Sequence, residues 1–301
     1  MKYFWRLIFN LYICTNNNMY EQIKQFMRKS NYDKFPSTVI AGTIFQGWNE
    51  IRGVLSDCLK SNNVLAVDCY TGVYEEELVR ELSKLSARLV LVRDLYKEES
   101  ELRCMTERFM TEDVLFGYVT NLCISDYFDA EKLEDARRCA CGASTPLIII
   151  GTGAGMVAPG ATLVYVDMAR WEIQQRCRRH EVKALGIDNR EDAVSLQYKR
   201  GYFNDWRICD RYKSILFEHV DYWLDSHIPG SPKMIDRQTF YKGIDKTASK
   251  PFRVVPYFDQ APWGGQWMKA VCDLDPDVPN YGWCFDCVPE ENSLYLEVNG
   301  V

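Results

Sequence analysis

The chain has 301 residues, of which 47% are hydrophobic and 26% charged, a composition typical of folded domains that argues against a disordered or collagen-like chain. Its length suits one large α/β domain with a smaller appendage. The net charge of −6 argues against a broad nucleic-acid-binding surface, because such a surface needs clustered Lys and Arg.

Residues 1–18 open the chain with basic and apolar residues and end in the polar sequence 15–18. The apolar stretch is much shorter than the roughly 20 residues that span a bilayer, and no small-residue cleavage site follows it. We therefore favour Met19 as the true start over a secretion signal, which leaves residues 1–18 as an upstream extension or leader, and we expect no membrane partner.

Two amphipathic helices are predicted before the first strand, one beginning at Met19 and one carrying apolar residues at helical spacing over 48–59. Four short apolar runs are predicted strands of the kind buried on both faces of a parallel sheet, at residues 64–67, 89–92, 147–150 and 163–166. Helical patterns alternate with them at residues 75–85, 98–110 and 130–140. This order predicts a three-layer α/β domain with a mostly parallel sheet.

The composition changes after the last of these strands. Residues 168–212 are strongly charged and predicted to be helical, and the Pro- and Gly-containing sequence 228–232 breaks the chain. Beyond residue 250, Pro, Gly, Trp and Cys become dense, so we expect a boundary near 242–250. The predicted organisation is an extension at 1–18, an α/β domain at 19–248 and a tail at 249–301.

The turn after the first strand has the position of a phosphate-binding loop but little of its sequence. Such a loop follows a buried strand with G-x-x-x-x-G-K-[ST] and leads into a helix, so that backbone N–H groups cradle phosphate. Placed after Asp68, the motif keeps only the inner Gly72, and its lysine position holds Glu75. Cys69 and Tyr74 stand at its two glycine positions. We interpret the segment as a degenerate phosphate loop; an ordinary strand, turn and helix is the alternative.

Three consecutive carboxylates begin the helix that follows, where a phosphate loop has a lysine and a hydroxyl. Glu75, Glu76 and Glu77 satisfy the helix dipole themselves and repel an anion at that point. Two unit charges about 4 Å apart interact by about 4 kcal/mol at an effective dielectric constant of about 20. The sequence therefore predicts negligible affinity for a nucleoside triphosphate.

The order of strands and helices resembles that of the uridine kinase branch of the nucleoside kinases. Asp94, in the sequence Arg93-Asp94-Leu95-Tyr96 after the second strand, is similar to the acidic turn that supplies the base for a nucleoside hydroxyl in that family. The resemblance also implies a basic lid made by Arg176, Arg178 and Arg179. From the residues alone, the alternatives are a turn or helix-cap role for Asp94 and a solvated helix face for the arginines.

Two other patterns suggest cofactor sites without completing them. Gly151-Thr152-Gly153-Ala154-Gly155 lacks the full G-x-G-x-x-G of dinucleotide-binding folds and is predicted to be a strand-end loop. The 12 cysteines include a single C-x-x-C, at Cys284 and Cys287, with no second pair to complete four metal ligands. We predict reduced thiols in a cytoplasmic protein, and no metal or other cofactor in this chain.

The tail contains the most distinctive sequence of the chain. Residues 256–269, with Trp263, Gly264 and Gly265, and residues 283–293 resemble the opening of class I mannose-6-phosphate isomerases, where a W-G-G turn begins the cupin barrel. From about residue 19 onward, the chain looks like the N-terminal part of a bacterial isomerase variety that places a kinase-like, P-loop-type domain before that barrel. We therefore expect the tail to be an incomplete all-β cupin start.

This resemblance implies metal-dependent conversion of mannose 6-phosphate to fructose 6-phosphate, with zinc held by a glutamine, a glutamate and two histidines of the cupin. The chain has three histidines, His180, His219 and His227, all before the W-G-G turn, and no Gln-x-His pair. Zinc is therefore expected only in a cupin part missing from this sequence, and catalysis by the chain itself stays open.

The leading hypothesis is a kinase-like module, not catalytic by itself, of a mannose-6-phosphate isomerase-like protein. A divergent nucleoside, uridine or sugar kinase is one alternative, and a non-catalytic scaffold that senses a nucleotide or phosphosugar is the other. The expected partners are a phosphosugar or nucleotide and a separate or downstream cupin domain.

Overall fold

The computed structural model describes residues 35–250, 254–257, 282–285, 287 and 293–301. The chain divides into two compact units, one formed by Thr38–Ala248 with Leu296–Val301 and the other by Met1–Ser37 with Ser249–Tyr295. The predictions for residues 1–18, for the helix from Met19 and for the W-G-G turn at Trp263, Gly264 and Gly265 lie outside the described residues.

A seven-stranded sheet forms the centre of the larger unit. Its strands are β2 (Ile44–Gln46), β3 (Val64–Cys69), β4 (Arg88–Leu91), β5 (Leu147–Gly151), β6 (Thr162–Asp167), β7 (Tyr222–Asp225) and β8 (Lys233–Asp236). They are arranged in the order β2-β8-β7-β6-β3-β5-β4. The strands from β7 to β4 in this order are parallel, whereas β8 and β2 are antiparallel to their neighbours. This arrangement confirms the α/β class.

The central strands owe their burial to their position in the sheet. Every residue of β3 and of β5 is buried, because each strand has a neighbour on both sides and is covered on both faces. β4 is only half-buried, since it lies at the sheet edge. The prediction that 89–92 is a strand is therefore confirmed for 89–91, but the expected full burial is wrong.

Helices connect and cover the strands. They are α1 (Gly47–Ser61), α2 (Glu75–Leu82), α3 (Glu99–Met110), α4 (Ala130–Cys141), α5 (Ala154–Val157), α6 (Arg170–Arg178), α7 (Val194–Arg200), α8 (Trp206–Leu216) and α9 (Arg237–Ala248). α1 buries the four apolar residues of its predicted face, Trp48, Ile51, Leu55 and Leu59. α2 ends at Leu82, three residues before the predicted end at 85.

The prediction that 168–212 is helical throughout is wrong in its middle. α6 ends at Arg178, and the next helix begins only at Val194. His180 and Gly186 between them have φ of +57° and +68°, values that a right-handed helix does not accommodate. The intervening segment instead forms one wall of a cleft.

Three strands of the seven-stranded sheet, β2, β7 and β8, were not predicted from the sequence. β7 and β8 flank the predicted chain break and form an antiparallel pair, with Trp223 opposite Ile235. Gly230, in the connection between them, has a φ of +76° that favours glycine. The break was therefore correctly placed, and it is a hairpin connection.

Short strand pairs complete the description. β1 (Ser37–Ile40) pairs with β11 (Tyr295–Val298) in a two-stranded sheet. In the smaller unit, β9 (Val254–Tyr257) pairs antiparallel with β10 (Gly282–Phe285). Among the residues described, no helix combines the length and apolar character required to cross a bilayer.

Candidate functional site

A cleft of about 280 Å³ opens at the carboxyl ends of β3 and β5. Its walls are the loop 70–76, the turn after β4 with Arg93 and Tyr96, and the segment 181–190. The chain leaves β3 toward β4 on one side of the sheet centre, and leaves β5 toward β6 on the other side. Ligands of open α/β sheets bind in the crevice where the strand order reverses in this way. This cleft is therefore the candidate site.

The loop after β3 is closed by its own backbone. The Val73 N–H donates to the Tyr70 carbonyl at 3.4 Å, the Glu75 N–H to Val73 at 3.1 Å and the Glu77 N–H to Tyr74 at 3.1 Å. A phosphate cradle needs such N–H groups free and directed at the anion. In this chain, carbonyl groups of the same loop occupy these three N–H groups.

Gly72 and Arg176 hold this loop from beneath. Gly72 has a φ of +88°, and a Cβ at this position would lie 2.9 Å from the Ile173 side chain. Arg176 is fully buried, and its Nη1 donates to the Gly72 carbonyl at 2.9 Å. Its other hydrogen bonds go to the Glu172 carboxylate and to the carbonyls of Ser226 and His227. Arg176 thus clamps the loop from inside the fold and does not line the cleft.

The other residues implied by the kinase resemblance lie apart from the cleft. Arg178 is exposed on α6, and Arg179 forms ion pairs with Glu172 and Glu181 at 3.1 and 2.8 Å. Asp94 lies in the 3₁₀ turn Val92–Leu95. Of the described residues that line the cleft, none is one of these three.

Asp68 ends β3 and holds the glycine-rich loop after β5. Its carboxylate is fully buried and accepts hydrogen bonds from Gly153 N at 3.1 Å, Gly155 N at 2.8 Å and Tyr212 Oη at 2.8 Å. Burial raises the pKa of Asp68 to about 6, although these hydrogen bonds oppose the rise. A carboxylate of the chain therefore occupies the N–H groups that a bound phosphate could have used.

The glycine-rich segment is also more ordered than the sequence suggested. The predicted strand-end loop at residues 151–155 is wrong in its second half, because Ala154–Val157 form the short helix α5. Gly151 and Gly153 have φ of +129° and +102°, which explains the need for glycine at both positions.

The first two carboxylates of α2 differ from the third in what they contact. Glu77 is buried and accepts hydrogen bonds from Trp48 Nε1 and Gly230 N, both at 2.8 Å, so it joins α2 to α1 and to the β7–β8 connection. Glu76 is largely exposed and lies 3.1 Å from Arg93. Glu75 is 24% exposed and lines the cleft, with Arg93 3.8 Å away.

Among the described carboxyl groups that line the cleft, Glu75 is the one whose pKa is raised. Burial raises its pKa from 4.5 to about 7; nearby Arg93 opposes the rise, whereas the charges of Glu76, Asp68 and Asp94 reinforce it. A cleft carboxyl that titrates near neutral pH can both accept and donate a proton under physiological conditions. The sequence identified Glu75 as an obstacle to phosphate, but its burial could not be read from the motif.

The far wall of the cleft, residues 181–190, was not recognised from the sequence. Asp188 forms ion pairs with Arg190 at 2.7 Å and Lys183 at 3.0 Å, and hydrogen bonding to Arg190 lowers the pKa of Asp188 well below its ordinary value. Gly186 has a positive φ, and the turn it forms shapes this wall. The only signal in the sequence was the turn-forming run Gly186-Ile187-Asp188-Asn189 within a charged stretch.

Neither a metal-ligand cluster among the described residues nor the family match identifies the ligand of the cleft. In the described ranges, no group of three or more His, Cys, Asp or Glu side chains is placed to hold a metal ion. Residues 47–249, more than half of the chain, match the family model described as "Domain of unknown function (DUF8485)". No curated protein matches the chain.

Proposed function

We propose that this chain, which belongs to the DUF8485 family, is a kinase-shaped module whose cleft binds a small polar ligand and does not transfer phosphate. The observation that carries this proposal is the closure of the loop after β3, where the N–H groups of Val73, Glu75 and Glu77 are occupied by carbonyls of the same loop. The central position of β3, followed by a loop and a helix, supports the kinase-like shape, since phosphate loops are built on that arrangement.

The charges at the start of α2 also argue against phosphate binding. Glu75 and Glu76 stand where a phosphate loop has its lysine and hydroxyl, and both line the cleft. At pH values above about 7, where Glu75 is ionised, a repulsion of about 4 kcal/mol between unit charges about 4 Å apart weakens binding roughly a thousandfold. An affinity of about 1 μM would thereby become about 1 mM, which is too weak for a kinase that must hold its nucleotide.

The module is proposed to be part of a larger isomerase-like protein, because the tail resembles mannose-6-phosphate isomerases. The sequence around Trp263, Gly264 and Gly265 supports placing the module in an isomerase-like protein, with the cupin as a separate or downstream partner. Purified chain supplied with zinc and mannose 6-phosphate should form no fructose 6-phosphate, because the cupin ligands are missing from its sequence. Turnover by this chain would contradict the proposal that isomerisation requires the cupin partner.

A divergent nucleoside or sugar kinase is the second candidate, and Glu75 is the observation in its favour. A carboxyl group with a pKa of about 7 beside the cleft could accept the proton of an attacking hydroxyl. A phosphoryl-transfer assay on the purified chain separates the candidates. Transfer that survives Glu75→Ala but is lost in Asp94→Ala would favour the kinase predicted from the sequence, and transfer lost in Glu75→Ala would favour one built on the cleft.

Isothermal titration with Mg²⁺ and ATP, GTP or UTP tests the main proposal. The expected dissociation constants are about 1 mM or weaker for all three nucleotides. Micromolar binding of any of them would contradict it.

A further inference from the structure

The charged groups that line the cleft are unequal in number and unequally paired. Five carboxylates and three cationic side chains face it. Four of the carboxylates have close cationic partners: Glu76 with Arg93, Glu99 with Arg103, Glu181 with Arg179, and Asp188 with Arg190 and Lys183. Glu75 lies 3.8 Å from an Arg93 group that is closer to Glu76, and within the described residues its carboxylate accepts no hydrogen bond. Glu75 is therefore the least closely paired of the five carboxylates, with its ion pair in the described residues at 3.8 Å.

Another acceptor lies in a small chamber that shares wall residues with the cleft. A chamber of about 20 Å³, large enough for one water-sized group, shares Thr71 and residues 182–184 with the cleft wall. Gln197 lines this chamber and is only 4% exposed. Its Nε2 donates to the carbonyls of Arg190 and Asp192 at 3.3 and 2.9 Å, which fixes the orientation of the amide. Its Oε1 is left without a partner in the described part of the chain.

These acceptors, and the size of the space, define the chemistry of a ligand. A buried acceptor without a donor costs roughly 1–3 kcal/mol, so a ligand rich in N–H or O–H groups gains by satisfying it. The cleft volume of about 280 Å³ is near the lower limit of ligand pockets, which are roughly 300–1,000 Å³. That volume suits a molecule of monosaccharide size rather than a nucleoside triphosphate.

We propose that the ligand of this cleft is a small hydroxylated amine, whose ammonium group pairs with the Glu75 carboxylate. The inference rests on the proposed function, since it assigns a ligand class to the same cleft. An ammonium group supplies hydrogen-bond donors and a positive charge to the Glu75 carboxylate, which accepts no hydrogen bond within the described residues. Its charge-assisted hydrogen bonds are about twice as strong as neutral ones. A phosphate group at the same point would meet like charge.

Binding by this route depends on pH. Because the pKa of Glu75 is about 7, the carboxylate is about one-tenth ionised at pH 6 and about nine-tenths ionised at pH 8. An aliphatic ammonium group remains charged over this range. The titratable groups around Glu75 are Glu76 on its own helix, Asp68 and Cys69 on β3, and Arg93, Asp94 and Tyr96 after β4. Affinity should therefore rise about tenfold from pH 6 to pH 8.

The test is isothermal titration of the full chain with D-glucamine and with D-sorbitol, which differ by an ammonium in place of a hydroxyl group. D-Glucamine should bind at least about tenfold more tightly than D-sorbitol at pH 8, and this preference should fall about tenfold at pH 6. Glu75→Gln, which keeps the side-chain shape, should abolish the preference at both pH values. Glu101→Gln, on the exposed side of α3 and outside the cleft, should retain it.

Three results would overturn the inference: no millimolar binding of D-glucamine, equal binding of the two probes at pH 8, or a preference that persists in Glu75→Gln. Its failure is distinguishable from failure of the proposed function. The latter is contradicted by micromolar binding of a magnesium nucleotide, whatever the response to D-glucamine.

Discussion

Glu75→Gln should stabilise the chain, and more so as the pH rises. Burial raises the pKa of Glu75 from 4.5 to about 7, so between these values the folded chain binds more protons than the unfolded chain. The free energy of unfolding contributed by this group therefore falls as pH increases through the window. At pH 8 the difference of about 2.5 pKa units amounts to about 3 kcal/mol, whereas at pH 5 it is below about 1 kcal/mol.

Urea unfolding of the wild type and the variant at pH 5, 6, 7 and 8, followed by far-ultraviolet circular dichroism, measures this difference. The advantage of Glu75→Gln should grow by about 2 kcal/mol across the series. Asp68 also titrates in this range and is present in both proteins, so its effect cancels except for the part due to its interaction with Glu75. Glu101→Gln is the matched control, because its carboxylate is 58% exposed and should change stability by less than about 0.5 kcal/mol. A variant no more stable than wild type at pH 8, or an advantage independent of pH, would refute the assigned burial of Glu75.

Two further substitutions test how the loop after β3 is held. Arg176→Met should destabilise the chain by about 3 kcal/mol in urea unfolding, because it leaves buried carbonyls unpaired. The control Arg178→Met, on the exposed face of α6, should change stability by less than about 0.5 kcal/mol. Equal effects of the two variants would contradict the role of Arg176 in holding the loop. Gly72→Ala should lower stability by about 2 kcal/mol, because Gly72 has a positive φ and the added Cβ would contact Ile173. The control Gly53→Ala within α1, where a Cβ meets nothing within 4 Å, should stabilise the chain by up to about 1 kcal/mol. A neutral Gly72→Ala would show that the loop has another conformation.

The sheet centre was predictable because its signal is strong and local. Continuous apolar runs such as 147–150 have few alternatives to a buried strand when helical patterns flank them. β7 and β8 lack that signal, because each has four residues and includes charged ones. β7 ends at Asp225, and β8 begins at Lys233. Tertiary pairing, rather than local pattern, makes them strands.

The site was predictable in position but not in detail. A loop at the end of β3 follows from chain order alone, and Asp68, Gly72 and Glu75 all belong to the loop or its flanks. Burial of single charged side chains was not predictable. Arg176 and Arg178 are two positions apart and point to different sides of α6, so a run of arginines in sequence becomes one internal clamp and one exposed side chain.

The isotherm of Mg²⁺–ATP with the full chain at pH 7.5 tests the central claim most directly. The account predicts a dissociation constant of about 1 mM or weaker, because three N–H groups of the loop are occupied and the first turn of α2 is acidic. Saturable binding below about 10 μM would show that the loop after β3 still cradles phosphate, and would contradict the account.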